Sequence, residues 1–539
     1  MKDRKSFFRG AFLFVLVIFC LCIMGQKVFE NRPVSQGQGD IIEQNDFGAF
    51  LAAQHALYVN DFDNAYKMME SIKTDNDSIK QSKNMSSFFS GKMPEDAKNL
   101  KNSKDFVDTL IYDAFLIQQD DWKSVYERHK KDESLLSAPL RIFSALKQDR
   151  ITETKKFVNS VKTNDYWKAF VLGQIAVLNN DVETAAKEFA KVHPDFMNIN
   201  DYLYLMSFYQ KNGMIEDMEI LREDFMAKPG GAHVLNYPEI PDWSNFEGYK
   251  NNLIFSIIQT VSHTQVMIYT DLSLLFLRFA QTVANDANMD VINYYLGQYY
   301  SYNSGDYKTC FNSIRKASPF YLFGQLRIAE KENDAKTIRK IAYDNPLFVP
   351  AQQIAVRDSV IKADKAGAIR LINRSLRHKN LPDNGRVYFL KQRAYIYLLF
   401  NDAARTQKDL NAIEDIDPKL SSDVLLLQAR TWYMQNKNLD KAYDYAMTLI
   451  KHDVSDVLAW DLLAQIVAKK EGINNALDII ERIVASGTNV SVVYEHLGDL
   501  YMENNDKEKA LRAYKQAIDL SDDAFIVIPF IEKKIRKLQ

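Results

Sequence analysis

Tyr494 lies 34 residues after Trp460 (494 − 460), and Trp460 lies 34 after Leu426 (460 − 426). A pattern travels with the interval. Leu497, Leu463 and Ala429 come three residues after each of these, Tyr501, Val467 and Tyr433 seven after, and Ala510, Ala476 and Ala442 sixteen after. Offsets of zero, three and seven share one face of a helix. The small residue at sixteen falls on a second helix, where it lets two backbones approach while the bulky positions fill the groove between them. A fixed period of this kind marks stacked supersecondary units, none of which buries its apolar face alone.

The turn between the two helices is also repeated. Asn505-Asp506 leads to Ala510, Asn180-Asp181 to Ala185, Asn60-Asp61 to Ala65 and Gly305-Asp306 to Cys310, each small residue standing four after the aspartate. Asn or Gly accepts the left-handed backbone that ends one helix, and Asp caps the next. Cys310 therefore reads as a packing spacer, and with the other two cysteines at 20 and 22 it has no partner for a disulfide in the rest of the chain. Only 19 Gly and 13 Pro in 539 residues, roughly half of average usage, agree with a mostly helical chain.

The unit resembles the tetratricopeptide repeat, a helix-turn-helix of the same period. Tyr494, Leu497, Gly498, Tyr501, Ala510, Tyr514 and Ala517 fall on its signature positions, and Ser521-Asp522 stands where the family has its terminal proline. Leu172, Gly173, Ala185 and Phe189 mark an earlier copy. DYLYLMSFYQKNG begins another that departs at Met218 and Arg222, and VYFLKQRAYIYLLF, from Val387, runs to Pro418 but departs at Arg393 and Thr406. The implied fold is all-α: a superhelical array of helix-turn-helix repeats after an N-terminal transmembrane or signal helix. The expected division is a signal anchor or signal peptide at 1–30, a linker at 31–45, a divergent N-terminal array at 46–227, a Pro/Gly hinge at 228–250, a C-terminal array at 251–528 and a capping helix at 529–539. Ile72 to Lys104 reads as a long loop or a worn-out repeat, and the chain after Trp243, to about Asp290, as apolar and helical but off register. IPFIEKKIRKLQ at the end offers an apolar face and a basic outer face, as a cap should.

Lys2, Arg4, Lys5 and Arg9, set against Asp3, precede the apolar run Ala11 to Gly25, which is the arrangement of an export signal. As a helix the run rises about 22 Å, short of the roughly 30 Å hydrocarbon core. Phe7, Phe8, Val28 and Phe29 extend it if Arg9 and Lys27 snorkel. An uncleaved anchor, a cleaved signal and a lipid on Cys20 or Cys22 stay open. The positive side remains in the cytoplasm. The expected location is thus the inner membrane, single-pass through residues 7–29 with the bulk in the periplasm, or a secreted or periplasmic chain after cleavage.

The formal net charge is −2, from 68 Lys+Arg against 70 Asp+Glu, so no broad field collects nucleic acid. The eight histidines show no zinc-pair spacing, Pro229-Gly230-Gly231 lacks the Lys-Ser/Thr of a phosphate loop, and no nucleophile motif occurs. No catalytic, cofactor or metal residue is assigned, and the chain is read as a binding protein rather than an enzyme. The resemblance implies a concave surface lined by the first helix of each repeat, with Leu427, Thr431, Asp461, Gln465, Glu495 and Asp499 facing the groove. Chaperone-binding members hold a C-terminal carboxylate with Lys and Asn there. These acidic, neutral and apolar residues instead make either a solvated face or a contact for a basic, apolar-flanked segment of a protein partner. Export signal followed by divergent repeats is similar to exported repeat proteins of Gram-negative bacteria. The expected role is a membrane-tethered adaptor that holds other proteins during assembly, quality control or secretion. The alternatives are a permanent subunit of an export or polysaccharide-secretion complex, and an enzyme whose site is assembled across repeats.

Overall fold

The structure, a computed structural model, describes residues 44–73, 76–227, 240–263, 271–303, 305–521 and 528–538. The expected signal segment, nearly all of the expected linker and the first half of the expected hinge lie outside the described residues. Among the described residues every regular element is helical, and no helix is long and apolar enough to cross a membrane.

Helical hairpins follow from the turn chemistry. Asp506 accepts the Lys509 amide at 3.0 Å behind Asn505 at φ 64°, and Asp181 accepts the Thr184 amide at 3.1 Å behind Asn180 at φ 57°. Asp61 and Asp306 cap their helices in the same way. The device recurs at Asp120-Asp121, Asn333-Asp334, Ala363-Asp364 and Asn401-Asp402, where each leading residue is left-handed and each following aspartate caps a helix. Repeats that look worn in sequence therefore keep the hairpin. The residue four after each of these aspartates (Val125, Ile338, Ala368, Thr406) is buried, as the packing slot requires. Cys310 sits in its slot partly buried, and burial pushes its thiol up to about 11.

The described residues divide into two compact units, one of residues 44–227 with 240–332, the other of residues from 333. The first unit opens with hairpins and carries a 13-residue helix, Asp77–Phe89, inside the stretch read as a loop or worn repeat. Phe88 and Phe89 enter its core, which explains why a polar-looking stretch stays folded. First helices Phe106–Gln118, Ala138–Leu146, Asp165–Leu178 and Ile199–Lys211 follow, each paired with a second helix. Two off-register helices, Gly248–His263 and Asp271–Val283, then lie along these first helices.

Those contacts are a built core. Phe255 stacks on Phe170 with centroids 5.3 Å apart. Gln174 donates to Asn252 Oδ1 at 3.1 Å, Tyr204 donates to the same oxygen at 2.8 Å, and Ser256 donates to Gln174 Oε1 at 3.0 Å. Gln259 donates to Asp201 at 3.2 Å, and Gln118 reaches the Thr282 carbonyl at 2.6 Å. The first-helix face of this unit is thus occupied by the chain itself. The unit boundary consequently differs from the expected hinge at 228–250, whose described part is packed: Trp243 and Phe246 are buried and a helix begins at Gly248. The apolar helices that follow bury themselves against the repeats before them.

The second unit is more regular. After Ala335–Asp344 come five hairpins: Val349–Ile361 with Lys365–Leu376, Asp383–Leu399 with Ala403–Ile416, Ser422–Gln435 with Leu439–His452, Val457–Glu471 with Ile473–Ala485, and Ser491–Glu503 with Lys507–Asp519. Ile528–Arg536 closes the unit. Its Ile528, Ile531 and Ile535 stand 34 after Tyr494, Leu497 and Tyr501 (528 − 494, 531 − 497, 535 − 501), so it takes the place of one more first helix.

Candidate functional site

The first helices are positioned by one recurring close contact. A β-carbon on Gly498 would come within 2.5 Å of the Tyr514 ring, one on Gly173 within 2.2 Å of Phe189, and one on Gly297 within 2.5 Å of Phe311. Ala442, Ala476 and Ala510 of the second helices are fully buried. A small residue on the first helix under an aromatic ring of the second, repeated in both units, is the packing the signature positions encode. The chain folds as an array of tetratricopeptide-like helical hairpins.

Of the six positions expected to face the groove of these repeats, five are buried: Leu427 and Gln465 at 8%, Glu495 at 8%, and Thr431 and Asp461 at 0% exposure. Leu427 packs with Leu390, Leu410 and Val424, and Thr431 donates back to the Leu427 carbonyl at 2.7 Å. Asp461 is bridged by Arg430 at 2.8 Å from the repeat before it and by His496 Nδ1 at 2.8 Å from the repeat after it, with Gln465 donating at 3.0 Å. Glu495 and Asp499 both take Lys534 of the closing helix, at 2.7 and 2.6 Å, and Tyr514 donates to Asp499 at 2.7 Å. Neighbouring first helices stand close enough for charged side chains to bridge them. These acids therefore serve as links between repeats, where the sequence suggested a solvated face or a partner contact.

The closing helix departs from its expected form in one respect. Ile531 is buried on Ala510, Tyr514 and Ala517, as a cap requires, and Phe530 meets Phe400 edge-on with centroids 5.6 Å apart. Lys534, however, turns inward. Burial pulls its ammonium down, and the charges of Glu495 and Asp499 outweigh that, so it is held above the usual lysine range.

The open part of the face lies at the other end of this unit. Between Val349–Ile361 and Asp383–Leu399 is a cleft of about 360 Å³, lined by Gln353, Arg357, Tyr388, Gln392, Tyr395 and Leu399 among others. Tyr395 is 40% exposed, and Gln353 donates to the Tyr388 hydroxyl at 2.9 Å, which orients that ring. Gln352 at the cleft wall gives its amide to the Ala342 carbonyl at 2.7 Å and keeps a buried Oε1 without a partner among the described residues. The signal for this cleft was available. Glu495 and Asp499 stand 15 and 11 before Ala510; the same count back from Ala368 gives Gln353 and Arg357, and 11 back from Thr406 gives Tyr395. Thr406 was read as a departure from the pattern, which hid the register.

No protein-family model and no curated protein matches the chain. Among solved structures it is similar to a tetratricopeptide repeat protein from Parabacteroides merdae ATCC 43184, with 14% identity over 54% of this chain and 99% of that one and a TM-score of 0.32. It is also similar to the APC/C hetero-tetramer Cut9-Hcn1, with 11% identity over 92% and 96% of the two chains and a TM-score of 0.29. Yeast Tom70 gives 10% identity over 92% and 95%, with a TM-score of 0.25.

Proposed function

We propose that this chain is a scaffold that holds another protein, and that its grip is the Tyr388/Tyr395 cleft. The observation that carries the reading is the contrast along one face: the last three repeats use their groove positions on each other, while the first two leave an exposed tyrosine, a second tyrosine and an arginine around a cavity. Aromatic residues and arginine are the side chains that anchor protein interfaces. The cavity volume can hold one or two anchoring side chains of a segment laid across it. A photo-crosslinking residue at position 395 tests this directly. Adducts are expected there and not at the exposed position 451 on a second helix; a protein partner captured only through 451 would refute the cleft.

The finer setting is a proposal of its own: a scaffold of a bacterial envelope, tethered by residues 7–29 with the repeats outside the cytoplasm. The order of basic and apolar residues from Lys2 to Gly25 supports it. A reporter active only outside the cytoplasm, fused after Gln539, is expected to be active, and most of the protein to stay with membranes after a high-salt wash. An inactive reporter removes the envelope from this account.

A further inference from the structure

The Lys365–Leu376 helix carries Arg370 and Arg374 one turn apart and ends in Arg377 at its C-cap. The spacing puts the three guanidinium groups on one face, at the helix end where the backbone dipole favours cations. They border a cleft of about 930 Å³ that also meets Lys365, Lys379 and Arg405, and among the described residues no carboxylate lines it. Asp402 is engaged by two of these cations, Lys365 at 2.8 Å and Arg405 at 3.3 Å, and the Lys365 hydrogen bond holds its carboxyl below the usual range. Arg374 lies 3.9 Å from the Tyr343 ring centroid and donates to the Tyr343 carbonyl at 2.5 Å, so its orientation is fixed. Arg370, Arg377 and Lys379 are exposed, and none of the three makes a side-chain hydrogen bond or ion pair with another described residue. The chain as a whole carries a net charge of −2, so the cluster is not the by-product of a basic protein. Like charges this close repel one another and favour an anionic occupant.

We propose that this cleft is a second binding site, which takes an acidic segment of a protein through its clustered Asp and Glu carboxylates. The cations are spread along the Lys365–Leu376 helix, the residues just after it and the Ala403–Ile416 helix, and so match a row of carboxylates better than a single phosphoryl group. Tyr343 and Tyr397 between them supply apolar surface for the methylenes of such a segment. The site rests on the reading of the chain as a protein scaffold, but it is built mainly on second helices and shares no lining residue with the Tyr388/Tyr395 cleft.

The test is fluorescence anisotropy of the full chain with a labelled Asp/Glu-rich peptide at low and high salt. Binding is expected at low salt and is expected to weaken as screening rises. Arg370→Glu/Arg377→Glu/Lys379→Glu, three exposed positions, should weaken it by about tenfold or more with unchanged melting, in the way removal of charges at an interface does. Tyr388→Ala/Tyr395→Ala should bind the peptide as the native chain does. No peptide binding, equal binding by the triple variant, loss in the tyrosine variant, or tighter binding of a charge-matched single-stranded DNA or of inorganic phosphate would each overturn the proposal. Failure of crosslinking at 395 with peptide binding intact would refute the other cleft and leave this one standing.

Discussion

The ring of Tyr514 fills the space that a side chain at residue 498 would need, its Cε1 lying 2.5 Å from where a β-carbon on Gly498 would stand. That ring is 2% exposed and its hydroxyl is bonded to Asp499 at 2.7 Å, so it has no room to retreat. Gly498→Ala would gain helix propensity of about 1 kcal/mol, but overpacking costs about 1 to 3 kcal/mol. A net loss is expected in the unfolding transition of the second unit. A midpoint at or above that of the native chain would show that the ring moves and that the contact does not fix the hairpin.

Asp461 links three repeats, so its removal should be felt widely. Asp461→Ala leaves Arg430, whose side chain is 17% exposed, facing a buried space without its carboxylate. Breaking one partner from a buried pair costs about 3 to 5 kcal/mol, and the partial exposure of Arg430 places the expected loss at about 3. Lysine at 461, 495 and 499 together should likewise lower the melting temperature. Unchanged melting of that triple variant would mean that these acids do not hold the repeats together.

The first unit carries a pH signal. His129 Nε2 lies 2.7 Å from the buried Asp113 carboxylate, and its Nδ1 lies 4.0 Å from Asp132. Burial would lower the imidazole, but the hydrogen bonds and charges of Asp113 and Asp132 outweigh it and raise it to about 9. A group raised on folding contributes stability that is fully present below its unfolded value, about 6.5, and lost as pH rises through its folded value. Stability of the first unit should therefore fall between about pH 6.5 and 9. His129→Gln should be less stable at the lower end and show a flatter profile. Parallel profiles for the two proteins would remove His129 as the cause.

Lys534 is a raised group of the same sign, but its window lies higher. Its contribution is full below the ordinary lysine value, about 10.4, and disappears only above it. Lys534→Met should lower the stability of the last repeat by about 1 kcal/mol, a partly exposed pair being worth little more. The deficit should stay constant from neutral pH to about 10. A deficit that vanishes by pH 8 or so would assign the effect to another group.

The features readable from the sequence are those that one or two neighbouring residues decide. Asn180-Asp181 and Asn505-Asp506 announce their turns because a left-handed residue and a helix cap are local requirements. Ala363-Asp364 was hidden because alanine carries no sign of the φ of 55° it adopts. What the expected groove positions touch was not legible. The partner of Asp461 is set by the spacing of helices 31 and 35 residues away, and that of Asn252 by a residue 78 positions earlier. No periodicity in the 251–290 stretch says which face it will fill.

The helices along the first unit's repeats also set a schedule for synthesis. Gln118 is bonded to Thr282, 164 residues further along, so the Phe106–Gln118 helix emerges from the ribosome long before the surface that covers it exists. At about 5 to 20 residues per second the wait is roughly 8 to 33 s. Through that interval the nascent chain shows an uncovered apolar face, and a partner able to shield it would be of use during translation rather than after it.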